Sequence, residues 1–140
     1  MPSARHLAGV VLKNGAPIFL ARVVGNDGVA ITQSSLSSSG NKYTISRLDP
    51  NDPDSRTAVT SHTDVALTVS SVIYNTLQRD ALWQNDQGQY LDELGYNLKV
   101  QPSLVTAVPF AVAGAKYLME ITLVPSSGEK IIIPFEVSCI

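Results

Sequence analysis

The C-terminal third of the chain holds the feature that most constrains the fold, which is a pair of alternating segments on either side of a turn. In both segments an apolar side chain occupies every second position: Tyr117, Met119, Ile121 and Leu123 in the first, and Ile131, Ile133, Phe135, Val137 and Cys139 in the second. A period of two puts these side chains on one face of a strand. Residues 125–128 form a turn signal of proline, serines and glycine between them. The segments therefore predict a β-hairpin with one buried face.

Shorter segments with the same period predict further strands. They centre on Tyr43 and Ile45, on residues 65–69 and on residues 96–100, and a short apolar run at residues 29–31 follows a turn. Asn14 and Gly15 lie between apolar residues 10–12 and 17–20. Because this pair accepts positive φ angles, it predicts a tight hairpin that joins those two runs.

One short helix is predicted in the middle of the chain. Ser70 and Ser71 are typical N-cap residues, and the helix is expected to run from residue 72 to about residue 79. Ile73 and Leu77 are four positions apart, so they would share its buried face.

These elements predict an all-β fold, a single β-sandwich of the immunoglobulin-like or jelly-roll-like kind, with about seven to nine strands and one short helix. A length of 140 residues suits one domain. We place a small, polar N-terminal arm at residues 1–8 and the sandwich at residues 9–140. The arm is either disordered or an assembly arm that becomes ordered on a neighbouring subunit.

Charge and apolar patterning exclude several functional classes. Charged residues make up 16% of the chain, the net charge is −2 and no basic stripe is present, so nucleic-acid binding is not expected. No apolar run approaches the roughly 20 residues of a membrane helix, and the start of the chain does not resemble a secretory signal. The single cysteine, Cys139, continues an alternating run and is predicted to be buried as a small hydrophobic residue.

Catalytic and metal-binding patterns are not found, so we predict neither an enzyme nor any catalytic, cofactor-binding or metal-ligating residue. The chain has no glycine-rich phosphate loop and no nucleophile elbow, and His6 and His62 are not in a metal-ligand spacing. The aspartates at 49, 52 and 54 are the one constellation that suggests calcium. They lack the glycine and closing glutamate of a helix-loop-helix site, so we expect them to stabilise local hydrogen bonds in a solvated turn instead.

Three segments are candidate contact surfaces. They are a long polar loop at residues 49–64, an extension at residues 87–94 and the arm at residues 1–8. Leu118, Val124 and Ile132 also interrupt the polar face of the last hairpin. Either a loop of the same chain or a neighbouring subunit covers them.

The order of several short motifs carries a resemblance. These motifs are Leu67-Thr68-Val69, the stretch SVIYNTLQ at residues 71–78, Asp80, Trp83, Asp86, Gly95-Tyr96-Asn97, Tyr117, the stretch PSSGE at residues 125–129, and Phe135-Glu136-Val137. The chain resembles small β-sandwich proteins encoded in tailed-bacteriophage structural gene clusters, and distantly the N-terminal domain of phage baseplate upper proteins. The likeness spans roughly residues 18–137. Residues 87–94 intervene where that pattern is continuous, and Leu98 stands where an aromatic residue often follows, so the partner surface is expected to differ.

The resemblance implies a non-enzymatic structural protein of a tailed-phage virion, made in the bacterial cytoplasm and incorporated into the particle. Its expected partners are other virion proteins and copies of itself, with no nucleic acid and no membrane. The capsid surface, the head–tail neck and the baseplate are all possible positions. An arm-bearing domain without a fibre-like repeat favours a cement or connector role at the head or neck. The alternative is a glycan-binding host-recognition module in which Trp83, Tyr90 and Tyr96 form a stacking platform.

Overall fold

The computed structural model of the chain describes residues 7–15, 17–25, 28–78, 95–102, 108–126 and 129–140. Within these ranges it contains nine strands, one four-residue helix and a 3-10 turn at Gln33–Ser35. The strands are β1 (Leu7–Val11), β2 (Phe19–Ala21), β3 (Lys42–Asp49), β4 (Asp52–Ala58), β5 (Val65–Ala66), β6 (Ile73–Gln78), β7 (Tyr96–Val100), β8 (Lys116–Leu123) and β9 (Ile131–Cys139), and the helix α1 is Val69–Val72.

The strands form two sheets, which confirms the predicted all-β, sandwich-like fold. The larger sheet has six strands in the order β1-β9-β8-β3-β4, with β5 pairing with β3 beside β4. The smaller sheet has the order β2-β7-β6. All described pairings are antiparallel except β1 with β9, which is parallel.

The inner faces of the two sheets form one core. Met119 of β8 lies opposite Phe135 of β9, and both side chains are buried. Phe135 in turn makes an edge-to-face contact with Phe19 of the smaller sheet, with ring centroids 4.9 Å apart. The predicted C-terminal hairpin is therefore confirmed, and its apolar face is what the second sheet covers. Cys139 is also buried, as predicted, and its Sγ lies 3.7 Å from the carbonyl oxygen of Phe110.

The hairpin predicted at Asn14 and Gly15 is wrong, although the turn itself is present. Asn14 has a φ of 61°, and the Gly15 amide donates to the Leu12 carbonyl oxygen at 2.8 Å. The strands on either side belong to different sheets, because β1 pairs with β9 and β2 pairs with β7. The turn depends on the residues at positions 14 and 15 alone, whereas the strand with which each flanking segment pairs depends on tertiary contacts.

The long polar loop predicted at residues 49–64 is also wrong. Most of it is β4, which pairs with the second half of β3, for example Ala58 with Ser46. β4 is an edge strand, so it has no need of the apolar alternation by which strands are recognised in a sequence. Apart from the two-residue turn at residues 50–51, only residues 59–64 remain as a connection. They contain the fully buried His62, whose Nδ1 lies 2.9 Å from the hydroxyl oxygen of Tyr43.

The helix predicted from residue 72 onward is displaced. Helix α1 follows Thr68 and ends at Val72, and β6 begins at the next residue. Ile73 is buried opposite Leu98, whereas Leu77 is 37% exposed, so the two do not share a buried face. β6 pairs with β7 at Ile73 and at Gln78, with an irregular register between them, so the segment is a strand despite its helical spacing. The run at residues 29–31 likewise makes only an isolated bridge at its middle residue, opposite Val24.

Candidate assembly surface

The sheets end in edge strands that differ in how they are guarded against pairing with another chain. β4 carries Asp52, Asp54 and Arg56, and β2 has only three residues. β6 pairs with β7 through an irregular register. Charges, short length and irregularity all discourage strand addition. β1 is a five-residue strand with the sequence LAGVV, and among the described edge strands it alone has none of these guards.

The outer side of β1 carries a cluster of exposed aliphatic side chains, which we call the β1-edge patch. It consists of Val10, Leu12 and Ile140, which are 67%, 68% and 61% exposed. Backbone hydrogen bonds hold the two chain segments together here, because the Ile140 amide donates to the Val11 carbonyl at 2.8 Å and its carbonyl accepts from Lys13 at 2.8 Å. Three adjoining exposed aliphatic residues are typical of a surface that contacts another protein.

The inner side of β1 is open as well. A groove of about 330 Å³ lies between β1 and β2, and its lining includes Gly9, Ile18, Phe19 and Phe135. Gly9 lies opposite Val137, and a Cβ atom added to Gly9 would meet nothing within 4 Å. Glu136 adds one carboxylate to a lining that otherwise consists of apolar residues and glycine.

The outer face of the larger sheet is different, because ion pairs cross it. Arg56 Nη1 lies 2.6 Å from Glu120 Oε1, and Lys116 Nζ lies 3.8 Å from Glu136 Oε1. At the end of this face the Lys42 ammonium donates a hydrogen bond to Asp64 at 3.0 Å, and this bond together with the Lys42 charge lowers the pKa of Asp64. This part of the sheet is built to face water.

The three apolar residues predicted to interrupt that face do not form one patch. Leu118 lies opposite Glu136, and Ile132 lies opposite Thr122, so polar positions separate them. Val124 is half-buried. The loop that contains Ser37 lies against it, and the Ser37 amide donates to the Val124 carbonyl oxygen at 2.7 Å. Ile132 remains 52% exposed.

A second depression, of about 530 Å³, lies at the end of β3. Its lining includes Arg47, Asp49, Lys116 and Glu136, together with the partly exposed Val112. Its charges are of both signs, and Lys116 and Glu136 form the ion pair described above. Across the described ranges, no group of three or more His, Cys, Asp or Glu side chains could hold a metal ion.

Two of the three aspartates in the calcium-like constellation make the local hydrogen bonds that the sequence predicts. Asp49 Oδ1 accepts from the Asn51 amide at 2.9 Å, and Asp52 Oδ1 accepts from the Asp54 amide at 3.1 Å. These bonds shape the turn between β3 and β4 and the first residues of β4.

Of the three aromatic residues of the glycan alternative, Tyr96 lies within the described residues. Tyr96 is buried and makes an edge-to-face contact with Tyr74, with centroids 5.8 Å apart, so its place in an exposed platform is wrong. Trp83, Tyr90 and the extension at residues 87–94 lie outside the described residues. Of the predicted arm, Leu7 and Ala8 form the start of β1, and residues 1–6 lie outside the described residues.

Two buried asparagines organise the loops, and sequence reasoning missed both roles. Asn97 accepts from the Val23 amide at 2.8 Å and donates to the carbonyl oxygens of Val23 and Ile31 at 2.9 and 3.1 Å. Asn41 donates to the Ser37 carbonyl at 2.7 Å and accepts from the Val124 amide at 2.8 Å. An amide side chain can donate and accept hydrogen bonds at the same time. Each asparagine therefore bonds to backbone amide and carbonyl groups that would otherwise need a partner strand. The only sequence signal was a polar residue between apolar ones at Asn97.

Comparisons with models of known protein families, with curated proteins and with solved structures found no match for the chain. In the part of the chain that the structure describes, no helix has the length and apolar character needed to cross a membrane.

Proposed function

We propose that the protein is a non-enzymatic structural component of a tailed-phage virion, which docks on capsid, neck or baseplate proteins and on copies of itself. Within that range, a cement or connector position at the head or neck is the one we favour. The proposal starts from the resemblance of the sequence motifs to small virion β-sandwich proteins.

The observation that carries the proposal is the unguarded edge at β1. A protein that acts alone in water normally guards its sheet edges, because an exposed row of backbone donors and acceptors pairs with other strands. Here one edge lacks charge and proline, and it is flanked by Val10, Leu12 and Ile140. Main-chain pairing at such an edge gives affinity without demanding particular side chains from the partner. That property suits a protein that must join a repetitive particle.

Within the described ranges, the histidine and the cysteine both serve the packing of the interior. His62 and Cys139, the histidine and the cysteine within the described ranges, are both buried in the fold rather than placed at an opening. Nucleophilic catalysis needs a nucleophile and a base that a substrate can reach. These two side chains instead contribute packing and hydrogen bonds: His62 bonds to the Tyr43 hydroxyl, and the Cys139 thiol donates to the Phe110 carbonyl oxygen.

The test follows the protein through a lysate of cells that produce the phage which encodes it. Particles, separated heads and separated tails are resolved on a density gradient, and the chain is detected with a specific antibody. We expect it to sediment with intact particles and with the head or neck fraction. Recovery only from the soluble fraction would overturn the proposal, and recovery only from detached tails would move its position to the baseplate.

A pair of matched variants connects the test to the β1 edge. Val10→Asp with Leu12→Asp places two charges in the β1-edge patch, whereas Ile132→Asp places a charge at another exposed aliphatic residue on the outer face of the same sheet. We expect the first variant to lose particle association and the second to keep it. Equal retention by both would mean that another surface makes the contact.

A further inference from the structure

The turn after β1 contains a pair of residues with chemistry of its own. Asn14 is followed directly by Gly15, and it is the only asparagine in the sequence that precedes a glycine. A backbone nitrogen can attack the side-chain carbonyl carbon of the asparagine before it, because the product is a five-membered ring, and glycine has no side chain to crowd that nitrogen. Asn14 is exposed, so water reaches its side-chain amide. The pair therefore has the composition and the exposure that deamidation requires.

The folded turn holds the two reacting atoms apart. Asn14 has a φ of 61°, in the left-handed region, where ψ is about +47°. At that ψ the nitrogen of Gly15 lies nearly opposite the Cβ atom of Asn14 across the Cα–C bond, so it cannot approach the side-chain carbonyl carbon. The Gly15 amide also donates to the Leu12 carbonyl oxygen at 2.8 Å, and the Asn14 amide donates to the Phe110 carbonyl oxygen at 2.8 Å. These two bonds keep the nitrogen in its unreactive position.

We propose that Asn14 is a deamidation site which the folded turn keeps closed and which local opening of the turn makes reactive. Opening breaks the bond between Gly15 and Leu12 and allows ψ of Asn14 to rotate. The inference concerns a modification of the chain itself, so it does not depend on the proposed function.

The reaction needs water and no other reactant. The Gly15 amide loses its proton to hydroxide, and its nitrogen forms a bond to Cγ of Asn14. The bond from Cγ to Nδ2 then breaks, and the nitrogen leaves as ammonia after it gains a proton. Water next opens the five-membered imide at either of its carbonyl carbons. Breaking the new bond gives aspartate at position 14, and breaking the original peptide bond gives isoaspartate.

The products change the corner beside the β1-edge patch. Both add a negative charge at position 14, and isoaspartate adds one atom to the backbone path between residues 14 and 15. The bonds from Asn14 to Phe110 and from Gly15 to Leu12 fit the shorter path. We therefore expect the isoaspartate form to lose protection from hydrogen exchange at the Gly15 amide. Leu12, which accepts that bond, belongs to the patch, so the modification alters the surface there.

The test compares deamidation rates in the folded and the unfolded chain. The intact protein is incubated at mildly alkaline pH, once in buffer and once in concentrated urea, and is then digested and analysed by peptide mass spectrometry. We expect position 14 to convert at least about tenfold more slowly in the folded chain, because the turn must open first. Equal rates would overturn the protection by the turn, and no conversion at Asn14 in urea would overturn the chemistry.

An internal control is present in the same digest. Asn51 is exposed and lies in the turn between β3 and β4, but Asp52 follows it. The side chain of Asp52 crowds the attacking nitrogen, so we expect Asn51 to convert more slowly than Asn14 in urea. Equal conversion of the two asparagines in urea would contradict the role given to Gly15.

Two variants at position 13 separate opening of the turn from the reaction. Lys13 is exposed, and its backbone amide bonds to the Ile140 carbonyl oxygen, a bond that either replacement keeps. Lys13→Gly leaves the reacting atoms unchanged and favours the open chain, so we expect it to deamidate about two- to fivefold faster than Lys13→Ala when folded. In urea the two variants should react at equal rates. Equal rates in the folded state would overturn the inference.

Discussion

Replacement of Asn97 by alanine is expected to destabilise the fold more than its small change in volume suggests. The side chain is buried on β7 and makes three hydrogen bonds to the backbone of Val23 and Ile31. The Val23 carbonyl keeps a second bond, from the Ile31 amide at 3.1 Å, so its loss costs little. The Val23 amide and the Ile31 carbonyl lose the Asn97 partner. Each such buried group costs about 1–3 kcal/mol, so the two together cost about 2–6 kcal/mol, and we expect a value of about 3 kcal/mol in the lower half of that range.

Thermal unfolding measures this effect. For a domain of this size, 3 kcal/mol lowers the melting temperature by about 10 °C. Asn75→Ala is the matched control, because Asn75 is exposed and accepts one bond from the Gln33 amide at 2.9 Å. We expect that control to change the stability by about 0.5 kcal/mol or less. Hydrogen exchange gives a local readout, in which the Val23 amide loses protection in Asn97→Ala and keeps it in Asn75→Ala.

A second substitution separates hydrogen bonding from packing. Asn97→Asp preserves the shape of the side chain and the acceptor for the Val23 amide. It removes the donor to the two carbonyl oxygens and brings a negative charge to them. We expect it to be at least as destabilising as Asn97→Ala. The reasoning is refuted if Asn97→Asp melts like the unaltered protein, or if Asn97→Ala melts like Asn75→Ala.

Two further predictions concern the start of β3. Because Lys42 holds the pKa of Asp64 below its ordinary value of 3.8, the pair stabilises the fold above that pH, and its contribution is lost as the pH falls through the lowered pKa. The melting temperature of Asp64→Asn should therefore be slightly below that of the unaltered protein at neutral pH and low salt. At strongly acidic pH the two melting temperatures should be equal. A difference that persists undiminished in acid would contradict this. Tyr43→Phe removes the buried hydroxyl 2.9 Å from His62 Nδ1 and is expected to cost about 1–3 kcal/mol in urea unfolding, and an unchanged midpoint would count against that bond.

The candidate surface was only partly predictable from the sequence. The polar segment at residues 49–64 was predicted to be a contact loop because of its length. Most of it is instead strand β4, which pairs with β3. The β1-edge patch has no local signature, since Val10 and Leu12 resemble core residues in sequence. Their exposure follows from the position of β1 at the end of the sheet order.

Apolar alternation specifies the all-β fold class and the C-terminal hairpin. Alternation between Tyr117 and Cys139 specifies which face is buried, because the side-chain period of a strand is two and a slip of one residue would expose every apolar group. The tertiary structure alone decided the partners of the other strands. The turn at Asn14 is encoded locally. It does not determine whether β2 pairs with β1 or joins the other sheet. The pairing of β1 depends on β9, more than a hundred positions further along the chain, and the pairing of β2 depends on β7.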